Sequence, residues 1–214
     1  MFDWLKDIHT AQGISQIVAS GGLFVIIAII FAETGLLVGF FLPGDSLLIT
    51  VGVLANPANP NHIQSLDIVL LNVILIIAAI TGDQLGYFLG KKTGDSIWKK
   101  PDGRFYKRRY LEEAHAFYEK FGGISVTAAR YVPILRTFVP FVAGMARMPY
   151  KKFIFWNIFG GILWITSMLW TGFFLGQTQF ANRLDKIIVV VLLVSFLPIF
   201  IGFLKNYRPK KKRA

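Results

Sequence analysis

Two apolar stretches of this 214-residue chain hold ionisable side chains of opposite sign. Glu33 and Asp45 lie in the first, Leu23 to Ala55. Arg130 and Arg136 lie in the second, Phe121 to Arg147. An ionised side chain at membrane depth costs about 2.5–3.5 kcal/mol on insertion scales, so a charge kept there is a candidate functional group. Arginine stays charged and presents a planar fork that matches phosphate or carboxylate with two parallel hydrogen bonds. Low-dielectric surroundings penalise the ionised form of a carboxyl group, which makes a buried acid a candidate proton carrier. Together the four residues describe a site for an anionic headgroup with titratable neighbours. Arg130 and Arg136 are the expected substrate-binding residues, and Glu33 and Asp45 the expected proton-coupling residues. A third acid, Asp83 in TGDQLGYFLG (81–90), joins the proton-coupling set, either as the partner of an arginine or at a solvated helix end. The competing expectation is a purely structural set of ion pairs stapling helices together.

Other chemistry finds less support. His9, His62 and His115 all lie outside the apolar stretches, so no intramembrane histidine base is expected. ITGD (80–83) has Ile80 where the GxGD motif of intramembrane aspartyl proteases has its first glycine, and nearby arginines oppose two aspartates sharing a proton. There is no cysteine, no Walker-type loop and no metal-ligand cluster, so no cofactor and no metal are expected. The expected activity is transport rather than catalysis.

The elements that must position these groups are helices in a bilayer. Hydrophobic residues make up 54% of the chain and charged residues 16%, against about 25% charged in an ordinary soluble domain. Runs at 67–90, 152–176 and 184–204 are each near the ~20 residues that cross a hydrocarbon core. The two charged stretches fit a crossing less well. Residues 23–55 as one straight helix would run about 50 Å, and Pro43-Gly44 interrupts them. The arm after that break reaches only about half a bilayer. The sequence therefore predicts two re-entrant hairpins, 23–55 and 121–147, with Pro43, Gly44, Pro133, Pro140 and Gly144 as breakers. Residues 1–20, with Phe2, Leu5 and Ile8 at helical spacing, predict an interfacial helix.

The net charge of +11 is distributed as a membrane protein distributes it. No Lys or Arg occurs between Lys6 and Lys91. The basic residues fall in 91–120, in Arg147, Lys151 and Lys152, and in the tail 205–214. All three clusters share one face only if 121–147 turns back, and the positive-inside rule makes that face cytoplasmic. This excludes nucleic acid as the reason for the charge and leaves the tail as an orientation signal or a contact for anionic lipid. The expected fold is an all-α polytopic membrane protein: about three transmembrane helices, two oppositely oriented re-entrant hairpins and the interfacial helix. Residues 21–204 form one membrane domain, followed by a cytoplasmic tail. Hairpin plus span would then occur twice with inverted topology, a transporter pattern.

Five segments carry a resemblance: ETGLLVGFFLPGDSLL (33–48), TGDQLGYFLG (81–90), YLEEAHAFYEKFGG (110–123), ARYVPILRTFVPFVAGMARMPYKKF (129–153) and GGILW (160–164). Together they resemble the bacterial DedA family, within the VTT or SNARE-associated superfamily, from about Gly22 to Gly176. The resemblance implies a bacterial inner-membrane protein that moves lipids between leaflets. Some members are similar to undecaprenyl-phosphate translocases and eukaryotic relatives are phospholipid scramblases, with dependence on the proton motive force. The family's acidic positions fall on Glu33 and Asp45 and its arginines on Arg130 and Arg136. The expected partners are anionic lipids and protons, undecaprenyl phosphate first and phospholipid next, and homo-oligomerisation is left open. The rival expectations are a proton-coupled antiporter of small ions or drugs, and a membrane scaffold that transports nothing.

Overall fold

A computed structural model describes residues 11–36, 44–60, 62–64, 66–98, 116 and 122–178. Six helices make up this part: α1 Ala11–Gly35, α2 Gly44–Leu54, α3 Ile68–Trp98, α4 Ile124–Ala129, α5 Pro133–Met145 and α6 Tyr150–Leu175. Two of them are long and apolar enough to cross a bilayer, α3 over Ile68–Gly94 and α6 over its full length. The expected third span, 184–204, the tail, most of the basic loop, Pro43 and residues 1–10 lie outside the described residues.

Local chemistry explains where these helices begin and end. α1 bends at Gly22, whose φ of 57° is open to glycine and strained for other residues. The bend separates 11–21, the described part of the expected interfacial helix, from the apolar arm that carries Glu33. Asp67 caps α3, its Oδ1 accepting the Leu70 N–H at 2.7 Å. Pro133 occupies the first turn of α5, where its missing N–H is no loss. Val132 before it is extended, with φ −117° and ψ 109°. α3 continues to Trp98 and not to 90, because nothing in KKTGDSIW breaks a helix. Asp83 is therefore near the middle of α3 and not at a helix end.

Side-chain contacts fix the directions of the helices. Asn157 of α6 reaches the Ile80 carbonyl while Thr166 reaches Asn72, so α3 and α6 are antiparallel. Pro140, Phe141 and Met145 of α5 abut Gly86, Gly90 and Gly94 of α3 in order, so these two are parallel. α2 follows α6 in the same way, with Asp45 at Trp164 and Ile49 at Gly172. The pairings repeat: α3 packs on α1 and α5, and α6 packs on α4 and α2. Exchanging α1-α2-α3 with α4-α5-α6 turns each of these four pairings into another of the four, although the two halves share no obvious sequence identity.

The core is split in two. Ile26, Ile30, Leu47, Val51, Leu71, Leu75 and Leu169 belong to one buried apolar cluster. Tyr87, Val126, Ala143, Met148 and Phe153 belong to another. Outer faces of α3 and α6 expose Val69, Ile77, Phe155 and Phe159, while Glu33, Asp45, Asp83, Arg130 and Arg136 lie inside. A soluble domain is arranged the other way round.

Two expected breakers break nothing. Pro140 and Gly144 both lie within α5, which runs through them to Met145. Proline removes one rung of a helix, but packing against the adjoining helix holds the remainder. Pro140 lies against Gly86, where a side chain would meet its Cβ at 3.5 Å. Gly144 is a close-approach position, with the Tyr87 carbonyl and Lys91 amide of α3 where a side chain would stand. The actual break is at Arg130–Val132.

Candidate functional site: a buried layer of opposite charges

Between the two apolar clusters lies a layer of ionisable side chains. Arg136, in the second turn of α5, donates through Nη1 to Asp45 Oδ1 at 2.5 Å and through Nη2 to Glu33 Oε1. Asp45 is in the first turn of α2 and Glu33 is near the end of α1, so one guanidinium ties three helices. The Gly44 N–H also donates to Glu33 Oε1, at 3.2 Å. A Cβ at 44 would overlap the Glu33 carboxylate, which would have to shift to admit it. Trp164 of α6 completes the cluster, donating its Nε1–H to Asp45 Oδ1 at 3.0 Å.

Arg130, just after α4, forms a second cluster. Its Nη2 donates to Asp83 Oδ2 on α3 and to Asn157 Oδ1 on α6. Asn157 Nδ2 in turn donates to the Ile80 carbonyl at 3.2 Å, which fixes the amide's orientation. Gly160 leaves room for the arginine: a Cβ there would lie 3.0 Å from Arg130 Cδ. Asp83 is thus an arginine partner and not a solvated end, at 2% exposure.

The sequence-based expectation of one network joining Glu33, Asp45, Arg130 and Arg136 needs revision. The acids of α1 and α2 both go to Arg136, and Arg130 is served from α3. All five groups are buried, Glu33 completely. With every group ionised, two guanidinium groups face three carboxylates, leaving one excess negative charge. A single bound proton would make the layer neutral. Capacity also remains unspent: Glu33 Oε2, Arg130 Nε and Arg136 Nε are buried with no hydrogen-bond partner among the described residues. Also among the described residues, no three His, Asp or Glu side chains are placed to hold a metal ion.

Asn157 and Trp164 were missed in the sequence. Asn157 could have been found by the rule that exposed the charges, since a polar side chain deep in an apolar span needs a partner. Trp164 gave no such signal, because an indole in a membrane helix fits an interfacial belt equally well.

Comparison with known proteins decides the family. The VTT domain model matches residues 42–174. Protein DedA of Escherichia coli K12 is 37% identical over 211 residues, covering 97% of this chain and 94% of the relative. This chain belongs to the DedA family. An uncharacterized membrane protein of Mycobacterium tuberculosis H37Rv is 40% identical over 201 residues, covering 93% of this chain and 86% of its own. Inner membrane protein YqjA of Escherichia coli K12 is 30% identical over 201 residues, with 93% and 87% coverage. No solved structure matches. The family and its membrane setting are therefore established, and the VTT match contains Asp45, Asp83, Arg130, Arg136, Asn157 and Trp164.

Proposed function

We propose that this protein moves an anionic lipid between the leaflets of a bacterial inner membrane, with proton exchange at the buried layer. The observation that carries the reading is Arg136, a base held by two acids where two broken helix pairs meet. In this reading α1-α2 and α4-α5 are re-entrant hairpins entering from opposite faces. The C-terminus is cytoplasmic and the three basic clusters share that side. A phosphate headgroup competes with the carboxylates for Arg136 and Arg130, while Glu33, Asp45 and Asp83 take up and release protons. Each arginine has a buried Nε–H with no partner among the described residues, so an oxyanion can bind before a carboxylate leaves. An apolar groove of about 370 Å³ between α1 and α3, lined by Phe24, Ile27, Phe31, Ile74, Ile77 and Thr81, leaves room for a lipid chain beside that layer. The inner-membrane setting is taken from the YqjA relative, an inner membrane protein by name.

The test is leaflet exchange in proteoliposomes, measured separately for labelled undecaprenyl phosphate and labelled phospholipid. Wild type is expected to move at least one of them, and Arg136→Lys to do so far more slowly. Movement of protons against small cations with no lipid exchange would favour an antiporter. Neither activity from a monodisperse protein would favour a structural scaffold.

A further inference from the structure

One uncharged side chain lies at both clusters. Trp164 is fully buried on α6. Its Nε1–H donates to the same Asp45 oxygen that accepts from Arg136. Its ring centroid is 5.0 Å from Arg136 Cζ and 6.0 Å from Arg130 Cζ. Both separations are within cation–π reach, and indole is the best of the aromatic faces for a cation. Leucine could fill the volume and phenylalanine could offer the face. Tryptophan offers the face together with a fixed N–H donor. It therefore touches an acid from the first half of the chain and both bases from the second.

We infer that Trp164 is a positioning residue that holds Asp45 against Arg136 and links the Arg136 cluster to the Arg130 cluster. Asp45 faces Glu33 from α1, Arg136 from α5 and Trp164 from α6. Arg130 lies by the same ring and carries Asp83. When Asp45 is neutralised or loses Arg136 to an anion, its hold on the indole weakens. The ring is then free to follow whichever guanidinium moves, so a change in one cluster reaches the other through a rigid plane. The consequence for transport rests on the function proposed above. The consequence for the indole's surroundings rests on geometry alone.

The test uses the full chain with Trp4, Trp98, Trp156 and Trp170 replaced by phenylalanine, leaving Trp164 as the one emitter. Its emission should change as pH falls and on addition of a short-chain polyprenyl phosphate. Asp45→Asn in the same background should abolish both changes. In a second arm, Trp164→Phe keeps a ring and loses the donor. Exchange of NBD-labelled polyprenyl phosphate and NBD-labelled phosphatidylglycerol should fall about ten- to hundredfold, as expected for one hydrogen bond to a charged group. Adding Trp164→Phe to Asp45→Asn should cost nothing further. Emission that ignores pH, phosphate lipid and Asp45→Asn overturns the inference, and so does Trp164→Phe exchanging lipid at the wild-type rate. If Trp164→Phe is not monodisperse, the emission arm decides alone. If the wild type moves neither probe while emission responds as described, the transport reading fails and the positioning role stands.

Discussion

Arg136 bridges two carboxylates, Glu33 and Asp45, and its replacement separates recognition from stapling. Arg136→Ala leaves Glu33 and Asp45 buried side by side without a cation, which should destabilise the fold by about 3–5 kcal/mol. Arg136→Lys keeps the charge but offers a point donor where two carboxylates on different helices are bridged by a fork. The lysine variant should therefore remain monodisperse in detergent yet lose most lipid exchange, and wild-type exchange would refute fork recognition. Gly44→Ala tests the same junction from the backbone side. Its Cβ would occupy the place of the Glu33 carboxylate, which is pinned to Arg136 and cannot swing to solvent. Exchange should fall as far as in Glu33→Gln, whereas an unaffected Gly44→Ala would mean that Glu33 is free to move. At this scale the four charges in apolar stretches were legible because membrane depth makes charge improbable. Their pairing was not, since spacing along the chain says nothing about which acid from another helix reaches which arginine.

Helix packing in this fold depends on glycines at two corresponding places. A Cβ at Gly90 of α3 would strike the backbone of Phe141, and one at Gly172 of α6 the backbone of Ile49. Backbone cannot rotate aside as a side chain can. Gly90→Ala and Gly172→Ala should each destabilise the protein by about 1–3 kcal/mol, measured by unfolding in mixed micelles. Gly86→Ala is the control, since its Cβ would sit in ordinary contact with Pro140 at 3.5 Å. It should be neutral or gain slightly from helix propensity. Equal losses at all three would mean that close approach is not what these glycines provide. The spacing of Gly82, Gly86 and Gly90 marks a small-residue face in the sequence, and the observed contacts agree with it. The same logic misleads at Pro140 and Gly144, where the residues that usually end helices lie inside one. What holds α5 together there is its seat on α3, a tertiary fact with no local signature.

For the whole molecule, the two helix pairs open toward opposite ends of the α3-α6 core. If the ends are opposite membrane faces, cysteines at Ala58 and Lys151, both exposed, should label from opposite sides of intact cells. Labelling from the same side would refute opposed entry. Ala58 is the better probe than its neighbour Asn59, which is buried and donates to the Val53 carbonyl. The charge balance makes a further prediction with a definite sign. The layer carries one excess carboxylate, and an anionic headgroup adds to that excess, so binding should take up a proton and tighten as pH falls, by up to about tenfold per pH unit. Removing one carboxylate by Glu33→Gln or Asp45→Asn should tighten binding at neutral pH and flatten the profile. Unchanged affinity and slope in well-folded variants would sink proton-linked binding. The division of signs between the halves has a genetic consequence. Every ionised group that α1-α2-α3 brings to the layer is an acid, and every one that α4-α5-α6 brings is a base. Two copies of the first half would confront like charge with like, and so would two copies of the second. A gene cut between codons 98 and 122 should therefore restore activity only when both fragments are expressed together, and doubling either fragment should rescue nothing.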